Sequence, residues 1–288
     1  MIELRSLTKR FGDFTAVDDL SLTIETGEFF GLLGPNGAGK TTTISMLSTV
    51  LLPTAGEILL DGVPLTRRAS AQKRKLSVIT QEYSMRQDMT LDQVMEYQGR
   101  LYLLPRKLIR ARTEELLAFA GLSEYRRRTV RHLSGGMKRK LMICRALLTE
   151  PEILLLDEPT AGMDALSRRQ MWNLLRQLHA RGLTVLLTTH YIDEAQSLCG
   201  RVALINRGRL DAVDAPEALV DRLGRWAVDE TSDDTLKSRY FRDRDAAIAF
   251  LRERPSGALR ATTLEDVFVE RIGRGVETRD NPRRPAGS

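Results

Sequence analysis

Gly34-Pro35-Asn36-Gly37-Ala38-Gly39-Lys40-Thr41-Thr42 stands between an apolar run, Phe29 to Leu33, and a helix-like stretch. The pattern is a glycine, four residues, then Gly-Lys and a hydroxyl residue. Glycines let the backbone curl so that successive N–H groups point inward at phosphate oxygens, and the helix that follows directs its positive end at the same place. Lys40 is expected to reach the outer phosphates and the Thr41 hydroxyl to ligate Mg²⁺. An ordinary Gly-rich turn before a helix is the bland alternative, but here every fixed position is filled in a strand-loop-helix setting. The loop calls for a nucleoside triphosphate and leaves open what the energy serves.

Outward from this loop, short β-type runs alternate with amphipathic helical stretches, which predicts an α/β fold with a mostly parallel sheet flanked by helices. The buried strands are Phe29 to Leu33, Leu76 to Thr80, Ile153 to Leu156, Thr184 to Thr188 and Val202 to Ile205. Their near-continuous Ile, Leu and Val character suits a sheet covered on both faces. Ile2 to Leu7 and Leu20 to Ile24 read as a smaller antiparallel piece around a turn at Gly12-Asp13. From Met89 to Leu148 the period becomes helical, an all-helical insertion in the α/β core. After Pro216 brief apolar patches alternate with charge, which predicts a small α/β appendage; the last residues, rich in Arg, Gly and Pro, are expected to be disordered.

Composition bounds the rest. The chain has 288 residues, 42% apolar and 28% charged, enough for a full core, which excludes disorder throughout. The net charge of +6 is too mild to decide a partner. Cys144 and Cys199 lie in apolar helix-like stretches and read as packing residues, as in a reducing compartment. No apolar run approaches the roughly 20 residues that cross a bilayer. The N-terminus carries no signal-peptide core, so neither a span nor a secretory signal is expected.

Two further segments carry chemistry. Ile153 to Leu156 runs into Asp157-Glu158-Pro159, which puts adjacent carboxylates at the C-terminal edge of a core strand, where ligand sites of parallel sheets form. Asp157 is the candidate for holding Mg²⁺ and Glu158 for polarising the hydrolytic water. Alone, this would be a solvated turn before a proline; the phosphate loop upstream gives it meaning. Leu133-Ser134-Gly135-Gly136-Met137 precedes a helix, so a serine hydroxyl, glycine N–H groups and a helix N-terminus together make a second anion site.

These ordered motifs resemble the ATP-binding cassette superfamily, the nucleotide-binding subunits of ABC transporters, over about Ile2 to Leu223. The resemblance implies a P-loop NTPase core of RecA-like type with an antiparallel β subdomain and a helical signature subdomain at about 82–148. An accessory region at 224–272 and a tail at 273–288 would follow. It implies ATP and Mg²⁺ as ligands, with nucleotide contacts from Gly34 through Thr42. It also implies a head-to-tail dimer in which Ser134, Gly135 and Gly136 of one protomer cap the ATP held by the other. Gln81 resembles the glutamine that contacts metal and water, His190 the switch histidine at the γ-phosphate, and Asp164 the aspartate that crosses the dimer interface. Phe11 occupies the position of the aromatic that stacks on adenine, although it could equally be a core aromatic. His132 and His179 read as surface residues.

Thr263-Leu264-Glu265-Asp266-Val267-Phe268-Val269-Glu270 resembles a C-terminal motif of drug-, lipid- and polysaccharide-exporting cassettes, the daunorubicin-resistance type among them, that pair with ABC-2-type permeases. The same residues read equally as an amphipathic helix, since Leu264, Val267 and Phe268 share a face. In the family the permease contacts the helical insertion, which directs attention to Tyr83 to Leu104. Arg126 to Arg128, Arg131 and Lys138 to Lys140 read as a solvated face. The resemblance thus implies an exporter's ATPase subunit, peripheral on the cytoplasmic face of the cell membrane, with no nucleic acid partner. Two alternatives stay open: a cassette ATPase of translation, repair or assembly, and a nucleotide-sensing module without turnover.

Overall fold

The computed structural model describes residues 1–80, 85–232, 235–254 and 256–273. Gln81, Tyr83 and the expected tail beyond Gly273 lie outside the described residues. Gly273 itself, counted with the tail on sequence, ends a helical turn, Val269–Gly273.

In chain order the strands are β1 (Ile2–Phe11), β2 (Phe14–Ile24), β3 (Phe29–Leu33), β4 (Ala55–Leu60) and β5 (Val63–Pro64). Then come β6 (Leu76–Ile79), β7 (Ile153–Asp157), β8 (Thr184–Thr189), β9 (Arg201–Asn206) and β10 (Arg209–Asp214). The last three are β11 (Trp226–Ser232), β12 (Thr235–Phe241) and β13 (Ala258–Ala261). They form three sheets, ordered β2-β1-β4-β5, β10-β9-β3-β8-β7-β6 and β12-β11-β13. In the central sheet β9, β3, β8, β7 and β6 are parallel, and β10 closes the edge antiparallel to β9.

Alternation along the central strands explains the layers. Phe29, Leu33, Leu154, Leu156, Val185 and Leu187 face one core, shared with the helical insertion. Phe30, Leu32, Leu155, Leu186, Ala203 and Ile205 face the other, shared with β1, β2, β4 and the helix Lys40–Leu47. Successive strand residues point to opposite faces, so strands buried on both sides are apolar except where a polar side chain finds a partner, as Thr188 and Asp157 do. Each such Leu or Phe contributes about 1.5–3 kcal/mol relative to exposure.

The insertion folds as helices Leu91–Leu101, Arg106–Phe119 and Gly135–Leu147. Thr90 starts the first one reciprocally: its hydroxyl accepts the Gln93 amide and the Gln93 side chain accepts the Thr90 amide. The C-terminal sheet carries the helix Arg244–Arg252 against it, and the helix Leu264–Phe268 returns to the main body. There Leu264 and Val267 join the same buried core as Leu198 and Leu219. Among the described residues no helix is long and apolar enough to cross a membrane.

Candidate nucleotide site

Three adjacent strands, β3, β8 and β7, end at one level, with Leu33 opposite Thr189 and Thr188 opposite Asp157. Their carboxyl ends therefore deliver the phosphate loop, His190 and the Asp157-Glu158 pair to one place, the edge where open parallel sheets bind ligands. Asn36, Gly37, Lys40, Thr41, Glu158 and His190 line a cavity of about 420 Å³ there.

The loop is held by backbone bonds on both flanks. The Gly34 amide donates to the Thr189 carbonyl at 3.4 Å, and the Gly208 amide donates to the Ala38 carbonyl at 3.0 Å. Two glycines are obligatory. A Cβ on Gly34 would stand 2.3 Å from the Ile205 carbonyl oxygen, and one on Gly39, whose φ is +104°, 2.5 Å from that of Ala16. Pro35 lies in the loop, and Thr42, in the first turn of the helix Lys40–Leu47, lines the cavity.

Lys40 is 4% exposed, and its Nζ donates to the carbonyls of Gly34 (2.8 Å) and Pro35 (3.1 Å) and lies 3.4 Å from Oε1 of Glu158. Burial pushes its pKa down, and Glu158 and then Asp157 oppose that shift. Asp157, 3% exposed, accepts from the Thr188 hydroxyl at 2.6 Å and from the Thr41 hydroxyl at 3.2 Å. Thr41 and Asp157 thus present converging oxygens, the donor type that Mg²⁺ takes when phosphate and water supply the remaining ligands. The residues present fit Mg²⁺ on that ground.

Glu158 sits at φ +47°, a left-handed conformation that costs a non-glycine residue about 1–3 kcal/mol. Its amide donates to the Thr188 carbonyl (3.1 Å) and hydroxyl (3.2 Å), which hold it there. The turn aims the carboxylate back at the loop. His190 Nδ1 lies 3.1 Å from Oε1 of Glu158 without the alignment of a hydrogen bond.

Ser134, Gly135, Gly136 and Asp164 do not line this cavity. Ser134 caps the helix Gly135–Leu147, accepting the Met137 amide at 3.3 Å. Asp164 caps the helix Ala165–Ala180, accepting the Ser167 amide (2.8 Å) and hydroxyl (2.6 Å), and these bonds hold its carboxyl below the usual range. Gly136 faces Ser167, so the two exposed caps are neighbours on a surface separate from the cavity.

Phe11 does not itself line the cavity, whereas its partner across the hairpin, Phe14, does, and the expectations for Arg139 and His179 need correction. The turn at Gly12-Asp13 brings the start of β2, not the end of β1, to the loop, and the Phe11 ring is instead met by Lys9 Nζ at 5.1 Å. Arg139, read as part of a solvated basic face, is 2% exposed and donates to the Thr80 carbonyl at 2.8 Å. His179, read as a surface residue, is half-buried with Nε2 2.8 Å from the Gly27 carbonyl oxygen. Thr188 and Phe14 escaped the sequence reading because neither belongs to a linear motif. Only the pairing of β8 with β7 and the hairpin closure give them a role.

A family model described as ABC transporter matches residues 17–161. The Nod factor export ATP-binding protein I of Burkholderia lata is 39% identical over 299 residues, covering 96% of this chain and 98% of that protein. The chain belongs to the ABC transporter family. The protein of the same description from Paraburkholderia xenovorans is 38% identical, with 96% and 98% covered. Among solved structures, an ATP-binding subunit of an ABC transporter shares the fold with a TM-score of 0.71 at 24% identity, covering 94% of this chain and 98% of that one. A dimeric ATP-binding cassette in a post-hydrolysis state, bound to ADP and Pi, matches with a TM-score of 0.66 at 28% identity, covering 75% of this chain and 98% of its own. As a member of the family this cassette is an ATPase, and its fold is that of a P-loop NTPase.

Proposed function

We propose that this cassette is the ATP-hydrolysing subunit of an exporter, closing as a head-to-tail dimer on two Mg·ATP and driving an ABC-2-type membrane permease. The observation that carries the reading is the convergence of Lys40, Thr41, Asp157, Glu158 and His190 at the ends of three neighbouring strands. Export is carried over from relatives named for it, and the drug, lipid or polysaccharide-like class of cargo from the C-terminal motif. The working place is then the cytoplasmic face of the membrane, held peripherally. We take residues 1–223 as the ATP-binding unit and 224–272 as the accessory region.

The chemistry follows from the residues. Lys40, now bonded to two loop carbonyls, exchanges those weak acceptors for phosphate oxygens, a charge-assisted gain. Thr41 and Asp157 hold Mg²⁺, which neutralises phosphate charge when bound. Glu158 accepts the proton of the attacking water, and His190 orients the γ-phosphate beside it. Phe11 and Phe14 offer exposed ring faces for the adenine base. Ser134 and its glycine N–H groups do not line their own cavity, so their helix terminus serves the nucleotide of a second copy.

The groove between the core and the helical insertion supports the permease assignment. It measures about 660 Å³ and is lined by Val50, Gln98, Leu101, Tyr102, Leu103 and Arg145, among others. Leu103 is 86% exposed there, the kind of apolar surface that a partner helix covers.

Glu158→Gln tests the reading. It should bind ATP and form a stable dimer by sedimentation, while hydrolysis falls by about 10² or more. Full turnover, or a strictly monomeric variant at saturating ATP both alone and with its membrane component, overturns it.

A further inference from the structure

Glu194 is fully buried, at 0% exposure, in the helix Ile192–Leu198 that follows His190. Its Oε1 accepts two bonds, from the Thr160 hydroxyl at 2.8 Å and the Trp172 indole N–H at 3.1 Å. Its Oε2 is buried without a hydrogen-bond partner. Burial pushes the carboxyl pKa up, and the neighbouring Thr189, Thr160 and Trp172 only partly offset this. A carboxyl so placed costs folding energy that an apolar side chain of similar size would not.

The carboxylate and its two donors belong to three elements of the site. Thr160 stands two residues beyond Glu158, Trp172 lies on the helix Ala165–Ala180 that Asp164 caps, and Glu194 itself is four residues beyond His190. The same helix grips the switch segment a second time. The Arg168 guanidinium stands 4.5 Å over the Tyr191 ring, and that ring lies 4.1 Å from the His190 ring, centroid to centroid.

We propose that Glu194 is the positioning residue of this ATPase site, fixing His190 against Glu158 by tying the segment after His190 to Thr160 and Trp172. Glu194 does not line the cavity, so it acts only through the groups it holds. The geometry also routes any movement of Asp164 at the dimer surface into the His190–Glu158 spacing, because one helix carries Asp164, Arg168 and Trp172. The inference rests on the roles of Glu158 and His190 proposed above.

Steady-state hydrolysis by the full chain, with Trp172 emission read in a Trp226→Phe background, tests it. Glu194→Ala should lower kcat by about tenfold or more while KM for ATP stays within about twofold, the split expected when a group acts only on the reacting geometry. The same variant should shift Trp172 emission in the nucleotide-free chain. Glu194→Gln, which keeps an acceptor for both donors at nearly the same shape, should restore kcat and emission to those of the parent. A Glu194→Ala chain with parental kcat, or a Gln variant as impaired as the Ala one, overturns the proposal. Should Glu194→Ala fail to fold, Trp172→Phe and Thr160→Val decide: lowered kcat at parental KM supports the positioning role, and parental kcat in both overturns it. Glu158→Gln run in parallel separates the two claims. Turnover retained there removes the base itself, whereas turnover lost there and kept in Glu194→Ala removes the positioning role alone.

Discussion

Lys40 shows how one residue can be costly to the empty fold and indispensable to its ligand. Its ammonium is buried on two carbonyls, beside one carboxylate at 3.4 Å, and desolvation holds its pKa below the ordinary lysine value. A base whose folded pKa is depressed binds fewer protons folded than unfolded, between its folded pKa and the unfolded value of about 10.4. The penalty is complete below that window and fades as pH rises through it. Lys40→Met, which removes the charge and keeps much of the stem, should therefore abolish the rise in unfolding midpoint that ATP gives the parent. Without nucleotide, the stability of the parent should gain on that variant as pH climbs from 7 toward 10. Urea titrations at several pH values read both effects; a difference independent of pH, or an ATP shift intact in Lys40→Met, contradicts the buried phosphate-binding charge. At this scale the sequence was most legible where residues form a linear motif. Gly34 to Thr42, Asp157 and Glu158 stand where their spacing put them, because a loop that must curl around phosphate admits few alternatives. Thr188 and Glu194 were illegible, since a hydroxyl in a buried strand and an acid in a short helix acquire meaning only from what packs opposite.

Among the elements, legibility followed burial. β3 (Phe29–Leu33) carries the bounds expected of it because its run is apolar from end to end, whereas β7 and β8 each run one residue further than expected, through the buried polar Asp157 and Thr189. β10, Arg209–Asp214, and β4, Ala55–Leu60, passed unnoticed: one is a half-exposed edge strand and the other begins with three exposed residues. The helix Leu264–Phe268 was expected from its apolar face, but not the charged clamp that sets it. Arg260 donates to both oxygens of Asp229 (2.6 and 3.1 Å) and both oxygens of Asp266 (2.7 and 2.6 Å). Asp266 also accepts the amide (2.7 Å) and hydroxyl (3.0 Å) of Thr263. Arg260 is about a third exposed, so solvent discounts the ion pairs, and the bonds to charged groups carry the effect. Asp266→Ala, which leaves the Thr263 amide and the guanidinium short of acceptors, should cost about 1–3 kcal/mol of stability. Thermal unfolding checks the size. Asp266→Asn, which keeps acceptors for both, should recover part of the loss, and a neutral Ala variant would mean that Leu264 and Val267 hold the helix unaided.

For the whole molecule, the proposed second anion site at Ser134 lies outside the cavity that the first loop lines, and that separation argues for assembly. Ser134 and Asp164 cap adjacent helices on an exposed surface while Lys40 and Glu158 line the cavity, so in the dimer proposed above each copy offers half of a site and one cap for another. Residue patterns alone exposed both halves, and only the family resemblance implied their separation, since no linear motif records how the helical insertion packs relative to the loop. The same insertion forms, with the core, the groove that carries Leu101, Tyr102 and Leu103. A monomeric domain gains nothing by holding a leucine at 86% exposure, and the cluster with Val50, 69% exposed, is a surface that association can desolvate. Leu103→Asp places a charge where a partner helix would bury it and touches no residue of the cavity. ATP affinity and the fold should therefore be unchanged. Co-purification with the membrane component from detergent extracts should fall by about tenfold or more, the scale on which an unpaired charge disrupts an interface. Transport should fall with it. Leu103→Ala should lose less, since truncation only reduces contact area whereas a carboxylate must be desolvated. If Leu103→Asp kept full association while a charge placed at exposed Val63, remote from the groove, abolished it, the permease would dock on the antiparallel sheet instead.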